Sequence, residues 1–276
     1  MEVRLRPSQS GNPTNVHTAD ITLRNILLQL KSIDAWTLSE IYSRFGHPRK
    51  ETPRASPGSN PGSSAPRYVV QAAHPPPDHF PQPAAFLIDL GSSFPFATPP
   101  APEEIGVPIM YRAPETVFDR KYTHHSDLWS LGCLLFELRA GTPMFSSFFG
   151  SMDDIVRQWV QTKGKLPEPW WGRWEARGEY YEENGDHVAR PPGGMGMTRP
   201  YPLAEMIADV GSEDREAGSD EEGVVVQSSM LAPLGEAVPE AEAAELEDLL
   251  EKILRWKPEE RLSCEEILKH PWFASV

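Results

Sequence analysis

Apolar residues are distributed unevenly along this chain, and the contrast predicts its elements. Residues 126–140 (SDLWSLGCLLFELRA) are apolar on almost every face, the pattern of a helix buried over most of its surface, with Gly141 and Pro143 as stop signals. Residues 241–256 instead set Leu246, Leu249, Leu250, Ile253 and Leu254 on one face, which predicts an amphipathic helix against a core. Ser263 is placed to cap a last helix containing Ile267 and Leu268. Residues 153–162 predict another helix, with Asp153 and Asp154 in the first turn, where the helix dipole favours acids. Shorter signals predict a buried strand within 21–30, a weak helix over 32–45, a brief strand at 67–71 and a strand at 84–89 that enters the turn Leu90-Gly91. Between these, residues 48–66 are dominated by Pro, Ser, Gly and Asn, and 170–239 read as a long irregular insert carrying the acidic run 212–222 (SEDREAGSDEE). Such compositions bury too little apolar surface to offset ordering, so disorder is expected over much of both. There are no internal repeats.

Composition narrows the function classes. The 276 residues include 39% hydrophobic positions, enough for a real core, while 29 prolines and 20 glycines cluster in the loops. Forty acidic against 26 basic residues give a net charge of −14, the wrong sign for a surface that neutralises nucleic-acid phosphates, so basic partners are expected and direct nucleic-acid binding is not. Cys133 and Cys264 lack metal or redox spacing and are read as buried thiols in a reducing compartment. The N-terminal residues offer no secretory apolar stretch, and the run 128–138 contains Ser130 and Glu137 and is too short to span a bilayer. A soluble intracellular protein, in cytoplasm or nucleus, is the expectation.

Chemistry-bearing segments follow one another in a telling order. Residues 17–28 read HTADITLRNILL, with Asp20 and Asn25 five positions apart; 89–91 read DLG; PIMYRAPE ends at Glu115; 125–133 read HSDLWSLGC; and Arg261 lies within WKPEERLSCEEILKHPWF. A lone DLG is an ordinary strand-to-turn tripeptide, but followed at this distance by PIMYRAPE it is specific. Together the segments resemble the protein kinase family, from the catalytic loop H-R-D-L-x-x-x-N through D-F-G and A-P-E. Leu90, the Tyr111-Arg112 pair and the His-Thr start of the loop look most like the SR-protein kinase branch, whose members phosphorylate serines in arginine-rich proteins. The sequence departs from the family pattern at His17, three rather than two residues before Asp20, and at Thr22, where serine/threonine kinases usually carry lysine.

The resemblance implies roles. Asp20 would orient the substrate hydroxyl and accept its proton, Asn25 and Asp89 would hold Mg2+ on the phosphates of ATP, and Arg24 would supply the loop's cation. Asp127 would accept hydrogen bonds from the catalytic-loop backbone, and Glu115 would pair with Arg261. Asp153 and Asp154 read as docking carboxylates or, with slightly more weight, as an exposed first helical turn. The implied fold is mainly α, a kinase-like C-terminal lobe with a few short strands and long disordered inserts. Its expected divisions are a disordered 1–15, catalytic loop 16–30, insert 31–83, activation segment 89–115, helical subdomain 116–170, acidic insert 171–240 and C-terminal helices 241–276. No glycine-rich strand pair, strand lysine or helix glutamate precedes His17, so the N-terminal lobe is expected to be absent; the helices that precede the catalytic loop within the C-terminal lobe are missing too, which would leave apolar surface near 26–28 and Trp129 open to a partner chain. Three functions stay open: a truncated serine/threonine kinase acting on basic or Arg-Ser-rich proteins, a non-catalytic lobe that binds substrates or regulators, and a mainly disordered acidic interaction protein.

Overall fold

The computed structural model describes residues 2–3, 16–18, 20–53, 64–73, 84–95, 98, 100, 104–188, 199–211 and 236–275. The acidic run 212–222, nearly all of 1–15 and much of the Pro-rich 48–66 lie outside the described residues. Strands are short: β1 (Glu2–Val3), β2 (Val16–His17), β3 (Ile26–Leu28), β4 (Lys50–Glu51), β5 (Val69–Val70), β6 (Ala84–Leu87) and β7 (Phe94–Pro95). Helices dominate: α1 (Leu38–Phe45), α2 (Pro114–Phe118), α3 (His124–Ala140), α4 (Met152–Lys163), α5 (Trp170–Arg173), α6 (Leu203–Ala208), α7 (Glu240–Ile253), α8 (Cys264–Leu268) and α9 (Trp272–Ser275). None of the described helices is long and apolar enough to cross a membrane.

The chain divides into two compact units. One comprises Met1–Arg6 and Ile26–Leu87. Here β6 pairs antiparallel with β3 (Leu27 opposite Phe86) and parallel with β1, while β4 pairs with β5. Helix α1 opens on a capping box in which Thr37 and Glu40 satisfy each other's backbone amides. The buried strand expected over 21–30 is not found: Leu23–Asn25 form a 3-10 turn and only Ile26–Leu28 extend, with Leu27 and Leu28 about half exposed. The turn arises because Asn25 N–H closes onto Thr22 O.

The other unit, Pro7–Asn25 with Ile88–Val276, is helical and holds the principal core. Trp129 on α3 is fully buried, with Phe145 and Trp256 each near-parallel to it and Trp159 meeting it edge-on. The expectation that Trp129 lies open is therefore corrected, because aromatic rings from distant segments of the same chain cover it. Helix α3 starts on a reciprocal Thr123/Ser126 cap and ends at Gly141, whose left-handed backbone lets its amide close onto Glu137 O. Midway, Gly132 permits close approach of α7: a Cβ there would stand 2.9 Å from Ile253 Cγ2 and 2.9 Å from Leu254 Cδ2. Gly132→Ala is expected to cost roughly 1–3 kcal/mol through overpacking, read as a lowered urea midpoint.

The stripe Leu246, Leu249, Leu250, Ile253 and Leu254 is buried, as its spacing predicts, and Ser263 caps α8 with Glu266. Cys133 is buried, but Cys264 is exposed, because α8 buries Ile267 and leaves its first residue toward solvent. The segment read as irregular from residue 170 also differs. Trp170, Trp171, Trp174 and Tyr181 are buried, and each polar tip finds a partner, on Asp119, Glu183 O, Asp153 and Arg157 O respectively. Further on, α6 buries Leu203, Met206 and Ile207. Large aromatics can fill a core without helical or strand periodicity, so this packing leaves no periodic signature in sequence.

Candidate active site

The site builds outward from α3. Asp127, in its first turn, accepts the Thr18 backbone amide on Oδ2 (3.2 Å) and the Tyr122 hydroxyl on Oδ1 (2.6 Å). A half-buried carboxylate thus fixes the chain just ahead of Asp20. A second tether runs through buried Tyr111, whose hydroxyl accepts the Leu23 amide at 3.5 Å and donates to Glu137 of α3. Burial, reinforced by Glu137, pushes the Tyr111 phenol far above its ordinary pKa, so it stays a neutral donor. Nearby, Ser130 Oγ donates to Tyr111 O at 2.8 Å, fixing the backbone before Ala113.

Held this way, the 3-10 turn Leu23–Asn25 brings Asn25 onto Asp20. Asn25 Nδ2 donates to Asp20 Oδ2 (2.7 Å) and Asp20 O (3.0 Å), so the two side chains form one buried-to-half-buried pair. Arg24, between them in sequence, is exposed, while Thr22 is buried and its carbonyl closes the turn. The segment carrying Asp89 is joined to this loop through its backbone, Ile88 N–H donating to Asn25 O (2.9 Å) and β2 pairing with β7. Asp89 itself is exposed and left-handed (φ 57°, ψ 55°), a conformation that costs most non-glycine residues about 1 kcal/mol and that aspartate tolerates best.

Hydrogen bonding leaves the Asn25 amide oxygen as the end of that side chain not given to Asp20. This oxygen and the Asp89 carboxylate are hard donors of the kind Mg2+ takes, and Mg2+ needs only one or two carboxylates when substrate phosphates complete its shell.

Glu115 and Arg261 lie behind the site. Arg261 Nη1 reaches Glu115 Oε1 at 2.8 Å and Nη2 reaches Oε2 at 2.7 Å, while Ser126 Oγ donates to Oε1 at 2.7 Å. Two further Arg261 N–H groups go to His125 O and Arg255 O, and its guanidinium sits 5.2 Å over the Trp129 ring. Sequence reasoning singled out Glu115, Asp127 and Arg261 but missed the tethering by Tyr111 and Tyr122. Tyr111 lies 26 positions from its acidic partner, and the five between Tyr122 and Asp127 match no helical or strand period, so neither gives a local signal.

Beside α2 and α4 a cleft of about 510 Å3 is lined by Phe118, Asp153, Arg173, Trp174, Glu175 and Glu179, among others. Arg173 is paired with Asp119 and Asp153 accepts the Trp174 indole, so the exposed Glu175 and Glu179 make its rim acidic. Asp154, in contrast, is taken up by Ser147 and Arg157.

A family model described as protein kinase domain matches residues 82–273, which include the DLG turn, the A-P-E segment, α3 and Arg261 but not Asp20 or Asn25. Among curated proteins, the chain is similar to serine/threonine-protein kinase prp4 of Schizosaccharomyces pombe, 28% identical over 195 residues, covering 68% of this chain and 36% of that protein. It is also similar to serine/threonine-protein kinase SSN3 of Phaeosphaeria nodorum (28% over 187 residues, 62% and 37%). A third relative is serine/threonine-protein kinase AFC3 of Arabidopsis thaliana (28% over 165 residues, 60% and 35%). The chain spans about a third of the length of these curated relatives.

Proposed function

The chain belongs to the protein kinase domain family, and from that premise we propose that it takes part in transferring the γ-phosphoryl group of ATP to serine or threonine hydroxyls of basic, Arg-Ser-rich proteins. One observation carries this reading: the Asn25 amide is bonded to the Asp20 carboxylate within a loop joined to the Asp89 segment through Ile88. In this reading Asp20 orients the substrate hydroxyl and accepts its proton as the oxygen attacks phosphorus. Arg24, exposed on the same turn, supplies positive charge toward the transferring group. Asn25 and Asp89 would hold Mg2+, which when bound neutralises charge on the β- and γ-phosphates. Tyr111 and Asp127 keep the loop in place, which matters because misplacement by an ångström can cost about a hundredfold in rate.

Support for basic substrates comes from the acidic cleft rim and the net charge of −14. Incubation with labelled ATP, Mg2+ and an Arg-Ser-rich peptide is expected to yield phosphoserine, and chelation of the metal to abolish it. Transfer that survives chelation, or none at all, argues against this reading. Glu175→Gln with Glu179→Gln is expected to raise KM for the peptide roughly 3- to 10-fold with kcat unchanged, an effect that added salt diminishes. An unchanged KM would remove the cleft from substrate binding.

A second reading is a lobe that binds substrates or regulators without turnover. It is favoured by Thr22, which is buried and stands where serine/threonine kinases usually carry lysine. Peptide binding without transfer would select it. The exposed Leu27 and Leu28 offer a seat for a partner chain in either case. The buried, unpaired Cys133 is in keeping with a cytoplasmic or nuclear setting.

A further inference from the structure

A groove of about 650 Å3 lies within the smaller unit, its lining drawn entirely from residues 30–73. One wall is α1, on which Leu38, Ile41, Tyr42 and Phe45 recur at helical spacing and form an apolar face. No residue of that helix is buried. Leu30, Ile33 and Val70, which complete the apolar lining, are exposed as well. A contiguous apolar face left open on a folded unit marks a place where something binds.

The groove also carries a polar stretch of one sign. His47 packs against Tyr42 with ring centroids 4.4 Å apart, and Arg49 follows two residues later on the same lining. The Arg49 guanidinium is exposed and engages no hydrogen bond or ion pair among the described residues. Lys50 adds a second cation beside it, its ammonium 4.5 Å from the centroid of the Tyr68 ring. Among the described residues no acid lines the groove. Asp34 and Glu40, the acids nearest in sequence to α1, are taken up by the hydroxyls of Ser32 and Thr37. In a chain of net charge −14, an acid-free apolar groove bearing an unengaged arginine is complementary to an anion with an apolar tail.

We propose that this groove binds a medium-chain alkyl carboxylate, with a tail of about eight to twelve carbons, as a small-molecule site separate from any phosphoryl-transfer chemistry. The carboxylate meets Arg49, whose planar fork of N–H donors matches its two oxygens, and the tail lies along Ile41, Phe45 and Val70. Size favours a small ligand over a protein partner. The groove falls within the roughly 300–1,000 Å3 usual for small-molecule sites, whereas a stable protein interface covers about 800 Å2 on each side. Every lining residue belongs to one unit and none is assigned a part in phosphoryl transfer, so the inference stands or falls apart from the kinase reading.

The test titrates the full chain calorimetrically with hexanoate, octanoate, decanoate and the neutral decanol. Decanoate is expected to bind saturably at one per chain, and affinity to rise roughly two- to fourfold with each methylene from hexanoate to decanoate. Arg49→Gln, at an exposed position, is expected to weaken decanoate roughly tenfold while leaving decanol binding and the thermal transition unchanged. Phe45→Ala is expected to weaken both ligands several-fold. Absence of saturable decanoate binding overturns the proposal, as does an affinity indifferent to chain length. Equal losses of decanoate and decanol in Arg49→Gln would overturn the assigned carboxylate partner. Retention on phosphatidylserine vesicles without decanoate binding would give the face to a membrane, and tighter binding of an acidic, leucine-rich peptide than of decanoate would give it to a protein segment; either result overturns the small-molecule site.

Discussion

Arg261→Ala is expected to lower the unfolding free energy by roughly 3–5 kcal/mol, the range for removing one partner of a buried ion pair. Both side chains are withdrawn from water, at 0% and 4% exposure, so bulk solvent can replace neither. The substitution removes both bonds to Glu115, leaving that buried carboxylate with the Ser126 hydroxyl, and deprives His125 O and Arg255 O of a donor. It also uncovers the face of Trp129 on which the guanidinium rests. Arg261→Lys keeps the charge but not the two-pronged geometry, and is expected to fall between wild type and alanine. Glu115→Ala combined with Arg261→Ala should cost less than the sum of the two, since the second change relieves an isolated charge. Chemical denaturation of the wild type and the four variants checks this, and a loss below about 1 kcal/mol for Arg261→Ala would contradict the burial argument.

Asp20→Ala is expected to lower kcat about 100- to 10,000-fold, the range supplied by a positioned general base. The reason lies in geometry: Asp20 is fixed by Asn25 Nδ2 at 2.7 Å, and its turn is anchored to α3 through Asp127 and Tyr111. Truncation removes the proposed proton acceptor while those anchors, which rest on other residues, stay intact. KM for ATP should therefore change far less than kcat. Steady-state phosphorylation of the Arg-Ser peptide reads both constants. A variant that retains kcat within threefold would exclude Asp20 as the base and move attention to substrate-binding roles for this loop.

Sequence and structure agree best where periodicity is strong. The all-round apolar character of α3 and the one-sided leucine stripe of α7 each announce a helix and its buried face. Local chemistry was equally legible at Ser263, where an Ser-x-x-Glu pattern closes both bonds of a cap. The Glu115–Arg261 pair spans 146 positions, and only the family resemblance could join its members beforehand. The tethers from Tyr111 to Leu23 and from Tyr122 to Asp127 had no such pointer, because tyrosine is common in cores and its hydroxyl partner is chosen by tertiary packing. Residues 170–181 depart from the irregular segment expected of them for a related reason. Their four buried rings are held by indole and phenol bonds to distant acids and carbonyls, a scheme invisible to any fixed spacing.

The left-handed backbone at Asp89 places two separate demands on a single position. One is conformational, met by glycine, asparagine or aspartate; the other, under the metal-holding role proposed for it, is a negative charge, met by aspartate or glutamate. Aspartate alone satisfies both, so fewer substitutions are expected to be tolerated here than exposure to water would suggest. Asparagine becomes the substitution that separates the two demands, retaining the bend while surrendering the charge.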